Sequence, residues 1–329
     1  MQHEIELLCG SPEEPETCIF RDGEKDIYLC RVPIAAKKKE GGPIKILFLA
    51  DVHLNLVDEA DESNEELMET VKYRKWNAGG QSIAPLKKVM ACTKEYDLTV
   101  VGGDTLDYLS HGAMAAMEQY IWQVEPNCLA VLGGHELVYN MQTGKKDKEP
   151  LEEKQRILEK FWKHDMYYTS RVIKDKVMAI QLDNSRHRYW ERQIAPLRRD
   201  LALAREKGWT VLVFQHEPIS TGKPEDRWLE AFCPAEGCPT CEDYYAKPIG
   251  CPEKEWDAAT QEVYTLLTQN ADVIQGIFCG HEHGGWRMQI KASYPKGDGT
   301  FSPAEIPQQV QKGLVYDGYV GHAMEICIE

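Results

Sequence analysis

Six times along this chain an apolar run of strand length breaks off into polar residues. "IKILFLADVH" ends in Asp51 and His53, and "DLTVVGGDTLDY" in Asp104 and Asp107. "CLAVLGGHE" ends in His135 and Glu136, "TVLVFQHEP" in His216, and "DVIQGIFCGHEH" in His281 and His283, while "VMAIQLDNS" runs into a polar loop. A continuous apolar run is what a strand buried on both faces requires. Helix-like segments lie between several of the runs, around 62–75, 81–95, 111–122, 150–163, 191–207 and 256–269. This alternation predicts an α/β chain with a largely buried sheet. Ligands of such sheets gather outside the carboxyl ends of the strands, where these polar residues fall.

With 329 residues the chain can bury a large core. Residues 1–43 read as a small β extension, with Asp-Gly in "FRDGEKDIY" where a hairpin turn is favoured. The linker "AAKKKEGGP" then leads into a main domain over 44–329. Near its end "GWRMQIKASY" and "GLVYDGYVGHAMEICIE" alternate apolar with polar, which predicts antiparallel strands and a turn at Asp317-Gly318. The formal charge is -15, from 53 acidic against 38 basic side chains, which argues against a nucleic-acid-binding surface. No apolar stretch approaches the roughly 20 residues of a membrane span. The opening "MQHEIELLCGSPEEPE" lacks the basic and apolar regions of a secretory signal, so a cytoplasmic protein is expected.

The strand ends bring five of the ten histidines together with three aspartates. His3, His111, His164, His187 and His322 read instead as solvated side chains or ordinary hydrogen-bonders. Carboxylates and neutral imidazoles are the ligands that suit zinc, manganese and iron. Each pair alone is common, but the ordered set is specific. The order Asp51-x-His53, Gly103-Asp104-x-x-Asp107, Gly-x-His135-Glu136, His216 and Gly280-His281-x-His283, across residues 44–290, resembles the calcineurin-like metallophosphoesterase superfamily.

That resemblance implies an α/β fold built as a β-sandwich flanked by helices, with a two-metal site at the strand C-terminal ends. It implies that Asp51, His53 and His283 hold one metal, that His216 and His281 hold the other, and that Asp104 bridges them. His135 corresponds to the family's catalytic histidine, and Asp107 to the carboxylate that orients it. The implied activity is hydrolysis of a phosphomonoester or phosphodiester, hence of a small phosphorylated substrate, by a hydroxide bridging two cations (Mn, Fe, Zn or Co). Two cations clamp a phosphate and neutralise charge developing in the transition state. An imidazole suits protonation of the leaving oxygen, and a carboxylate on its other nitrogen favours the charged ring.

The chain also departs from the pattern. Gly134 stands where the family places an asparagine whose amide oxygen reaches the second metal, so weaker binding of that metal is expected. The alternative reading is a degenerate member that binds metal or a phosphorylated ligand with little turnover. Purple acid phosphatases place a metal-binding tyrosine three residues after the bridging aspartate; here that residue is Asp107, and Tyr108 comes one step late. The phosphoprotein-phosphatase branch has a phosphate-binding arginine at the Tyr108 position. The chain thus resembles purple-acid-phosphatase-related members lacking the tyrosine. Arg186 and Arg188 in "LDNSRHRYW" are candidate substrate-binding cations, with solvated loop arginines as the rival reading. An insertion at about 217–255 carries Cys233-x4-Cys238-x2-Cys241-x9-Cys251, which fits an additional structural zinc or, equally, two disulfides that stiffen a lid.

Overall fold

The computed structural model describes residues 6–7, 18–21, 27–74, 82–138, 147–219, 257–315 and 321–329. The first strands are β1 (Glu6–Leu7), β2 (Cys18–Arg21), β3 (Ile27–Ile34) and β4 (Ile44–Leu49), followed by helices α1 (Glu65–Arg74) and α2 (Ile83–Met90). Next come β5 (Leu98–Gly102), α3 (His111–Met117), β6 (Leu129–Val131), α4 (Leu151–Phe161), β7 (Tyr168–Ile173) and β8 (Val177–Leu182). The chain continues through α5 (Glu191–Lys207), β9 (Thr210–Phe214), α6 (Ala258–Thr268), β10 (Ile274–Cys279), β11 (Trp286–Pro295), β12 (Phe301–Val310) and β13 (Gly321–Ile328).

These strands form two sheets, one ordered β2-β3-β13-β4-β5-β6 and the other β1-β11-β12-β10-β9-β8-β7. β4, β5 and β6 run parallel in the first, and β8, β9, β10 and β12 in the second. The two sheets face each other across one core layer. Ile46, Phe48, Val100 and Val131 meet Ala179, Leu212, Phe214 and Phe278 there. Phe214 lies between Phe48 and Phe278, with ring centroids 5.6 and 5.3 Å away. Burying each such ring contributes about 1.5–3 kcal/mol, so this trio fixes how the sheets stack.

The outer faces are covered by helices. Leu67, Leu86, Val89, Ala113 and Met117 pack on the first sheet, and Leu197, Leu201, Val263 and Leu267 on the second. Both faces of the parallel strands are therefore dry, which is why β5 and β9 are buried at every residue and read as unbroken apolar runs. The expected sandwich flanked by helices is observed. β4, β5, β6, β8, β9 and β10 are the six apolar runs, and each helix falls within its expected segment.

The C-terminal pairing differs from expectation. β11 pairs antiparallel with β12, whereas β13 lies in the other sheet, parallel to β3 and antiparallel to β4. β12 was hidden by Pro303 and Pro307, residues that argue against an interior strand. β10 pairs with β12 only over Gln308–Val310, so both prolines precede the stretch with neighbours on either side. β2 pairs antiparallel with β3, Arg21 opposite Ile27, and the expected Asp22-Gly23 turn falls between them. That turn, the Asp317-Gly318 turn and the four clustered cysteines lie outside the described residues. No helix of the described residues is long and apolar enough to cross a membrane.

Candidate metal centre

The strand ends are bent sharply before they deliver their side chains. Asp51, His53, Asp104, His281 and His283 all have positive φ, between 47° and 79°. Left-handed backbone at a residue with a Cβ costs roughly 1–2 kcal/mol, so surrounding bonds must impose it. The Asp51 and His53 amides donate to the Gly103 and Asp104 carbonyls at 3.1 and 2.8 Å. The His281 amide donates to the Asp51 carboxylate and the His135 amide to Asp104 Oδ1, each at 3.0 Å. Close approach also dictates two glycines. A Cβ at Gly133 would lie 2.1 Å from Asp104 Oδ1, and one at Gly103, itself at φ +91, 2.3 Å from His216 Nδ1.

Two donor sets result. Asp51, His53 and His283 offer ligand atoms within 4.8 Å of one another, and so do Asp104, His216 and His281. His216 Nε2 lies 3.2 Å from Asp104 Oδ2 and 3.3 Å from His281 Nδ1, and His53 Nε2 lies 3.0 Å from His283 Nε2. His53 Nδ1 faces the Asp107 carboxylate at 2.9 Å, and His216 Nδ1 faces the Gly102 carbonyl at 2.9 Å. Those acceptors take the Nδ1 protons, so Nε2 of each ring faces inward and can serve a metal once its own proton is released.

The electrostatics fit a cation. Burial raises the Asp51 carboxyl to about 6. Burial alone would raise Asp104 too, but His216 and His135 beside it hold it well below the usual carboxylate range. Burial alone would lower His216, yet the Asp104 carboxylate lifts it to about 10. Protons on the rings thus balance the buried carboxylates where a metal would otherwise do so. Burial lowers His281 to about 4 and His283 to about 3, so both are neutral at pH 7.

Residues 44–285 match the calcineurin-like phosphoesterase family. The chain belongs to that family. Its fold is similar to that of a dimetal phosphatase from Danio rerio, with 14% identity, a TM-score of 0.44, and coverage of 85% of this chain and 90% of that one. It is also similar to a purple acid phosphatase from yellow lupin (Lupinus luteus) seeds, at 14% identity and a TM-score of 0.45. That match covers 82% of this chain but only 44% of the lupin chain. No curated protein sequence matches significantly.

Within this calcineurin-like site, Asp107 is not disposed as the resemblance implies. Its carboxylate is taken by His53 Nδ1, by Asn55 Nδ2 at 2.6 Å and by the Arg74 guanidinium. His135 Nδ1 instead meets the Asp107 main-chain carbonyl at 3.0 Å, with Oδ1 at 3.5 Å. Burial would raise the Asp107 carboxyl, but His53 and Arg74 hold it far down. His135 itself is lowered, burial being the largest cause, instead of being favoured in its charged form. His53, Asp107 and His135 also form a compact donor set, but the guanidinium already balances its one carboxylate.

Several supporting residues have no motif to announce them. Arg74 closes on Asp107 from the end of α1. Tyr108 is fully buried and donates its hydroxyl to Asn55 Oδ1 at 2.7 Å, so it faces neither metal nor substrate. Glu136 accepts the Thr105, Leu106 and Gly133 amides, tying two strand ends together, and burial raises its carboxyl to about 7. The end of "VMAIQLDNS" holds rather than ligates. Asn184 Oδ1 accepts the His216 and Glu217 amides at 3.2 and 3.1 Å. Gly134 is half-buried and is not among the positive-φ glycines of the described residues. Its carbonyl accepts the Leu137 and Val138 amides, at 3.0 and 3.1 Å.

His3 lies outside the described residues, and the other histidines outside the site are engaged elsewhere. His111 pairs with Asp58, His164 Nε2 accepts the Ala130 amide and His322 stacks on Tyr28. His187, read from sequence as an ordinary side chain, lies with Nδ1 2.9 Å from Oε2 of Glu217, which is almost fully buried beside His216. Arg186 and Arg188 flank it in the turn after β8. Among the described residues neither arginine has an ion-pair or hydrogen-bond partner.

Proposed function

We propose that this chain hydrolyses a phosphomonoester or phosphodiester at a two-metal centre. The observation that carries the reading is the pair of donor sets beside Asp104, with the His53 and His216 tautomers fixed by acceptors behind them. Asp51, His53 and His283 would hold one cation and His216 and His281 the other, with Asp104 shared. The mixed oxygen and nitrogen set accepts Mn²⁺, Zn²⁺, Fe or Co²⁺. Bound there, two cations supply Lewis-acid charge and a water of lowered pKa for attack on phosphorus.

The chain's own groups do the rest. His135 gives its Nδ1 proton to the Asp107 carbonyl, which leaves Nε2 for a phosphoryl oxygen; that nitrogen lies 3.9 Å from Asp104 Oδ2. A phosphate arriving there favours the imidazolium, so Nε2 takes up a proton from solvent as the substrate binds and passes it to the leaving oxygen. Arg74, through Asp107, orients His53. Gly134 favours a second reading, in which ligand binds with little turnover, because neither its side chain nor its engaged carbonyl replaces the family's amide oxygen.

The test is hydrolysis of p-nitrophenyl phosphate and bis(p-nitrophenyl) phosphate by chelator-stripped protein, with and without added Mn²⁺. Release of nitrophenol that requires the metal is the expected result. Metal uptake without release of nitrophenol from either ester would favour the binding-only reading, and neither uptake nor hydrolysis would overturn both.

A further inference from the structure

We infer that the Arg186–Arg188 turn is an anion subsite, holding an oxyanion of the substrate other than the phosphoryl group that is hydrolysed. The inference rests on the phosphoesterase reading, and it assigns the substrate class: a phosphoester that carries a second phosphate or a carboxylate.

The turn is fastened to the candidate centre. The His187 amide donates to the Asn184 carbonyl at 3.1 Å, while the Asn184 side chain clamps the His216 and Glu217 amides. His187 itself adopts φ 54 and sets its imidazole against buried Glu217. One carboxylate therefore separates this turn from the donor set of Asp104, His216 and His281. On its other side, Arg186 lies within electrostatic reach of Asp147. Asp147 pairs with buried Lys154, whose ammonium also reaches the Leu137 carbonyl, two residues beyond His135. The turn that carries the two arginines is thus anchored beside the His216 strand end.

Among the described residues neither guanidinium is in an ion pair or hydrogen bond, and the carboxylates of Glu217, Asp147 and Asp183 act on Arg186 only from beyond pairing distance. Arg74, Arg199 and Arg205 each hold a carboxylate, although the chain has acidic groups in excess. Arg186 is half-buried with Arg188 close by, and burial followed by the Arg188 charge lowers its guanidinium. Partly desolvated like charges without a partner are costly, and an oxyanion relieves that cost. The planar guanidinium fork matches phosphate and carboxylate oxygens in particular.

The test is calorimetric titration of three non-hydrolysable probes into wild type and an R186Q/R188Q variant, both Mn²⁺-loaded and chelator-stripped. Methylphosphonate carries one anionic group, methylenediphosphonate adds a second phosphonate, and phosphonoacetate adds a carboxylate. One lost charge-assisted contact is worth about 1.5–3 kcal/mol, so the variant should bind the preferred two-anion probe about 10-fold or more weakly. Methylphosphonate should lose much less. Whichever two-anion probe binds wild type more tightly names the second group. An R186K/R188K variant, which keeps charge but not the fork, should fall between, and unchanged melting temperatures would show that the fold is intact. Equal affinities of wild type and both variants for every probe would overturn the subsite. Stripped protein reads the turn even if the chain binds no metal, so failure of the two-metal reading remains distinguishable.

Discussion

The Arg74 guanidinium closes on both carboxylate oxygens of Asp107, and the pair is buried, at 7% and 1% exposure. Asp107 in turn accepts from His53 Nδ1, so a helix end some twenty residues away in sequence sets the orientation of a candidate metal ligand. Breaking such a pair leaves a buried charge uncompensated.

Arg74→Met should therefore cost about 3–5 kcal/mol of stability. Loss of the orienting carboxylate's anchor should also weaken Mn²⁺ binding by about 10–100-fold. Urea unfolding and calorimetric metal titration check the two effects separately. Wild-type metal affinity in the variant would show that Asp107 holds His53 without help from Arg74.

Gly134→Asn should tighten the second cation by adding an amide oxygen beside Asp104 and His216. Gly134 lacks the positive φ that would make any side chain strained, so its backbone does not oppose asparagine. Activity at limiting Mn²⁺ should rise, with a smaller gain at saturation. Activation curves that superimpose for the two proteins would mean that the glycine is no defect.

His135→Ala should lower phosphoester hydrolysis by about 10²–10⁴-fold, the usual range for a lost general acid. Metal content should be retained, since the His135 ring hydrogen-bonds the Asp107 carbonyl and belongs to neither proposed ligand set. Elemental analysis alongside the kinetics checks this. Metal lost in parallel with activity would make His135 a ligand instead.

The parts of this site legible in the sequence are those whose cause is local. A strand buried on both faces must be apolar, so β5 and β9 announced themselves, and their polar ends marked Asp104 and His216. The groups behind the ligands were not legible, because each acts across a long separation. Arg74 meets Asp107 only once α1 has packed on its sheet, and Glu136 meets the Thr105 amide and Asn184 the His216 amide only once neighbouring strands have paired. The same holds for Asp107, which the resemblance sets beside His135: its carboxylate is 3.5 Å from His135 Nδ1 but closer to His53 and Arg74, contacts that no local pattern announces. β12 was lost to its prolines, which local preference rejects and its position in the sheet allows.

The central claim is that two cations sit on either side of Asp104, and anomalous scattering from Mn²⁺-soaked crystals measures it most directly. The account predicts two peaks per chain, one among Asp51, His53 and His283 and one between His216 and His281, both touching Asp104. In Asp104→Asn crystals both should weaken together, because the shared ligand loses its charge. A single peak in wild type, a peak among His53, Asp107 and His135, or no peak at all would contradict the account.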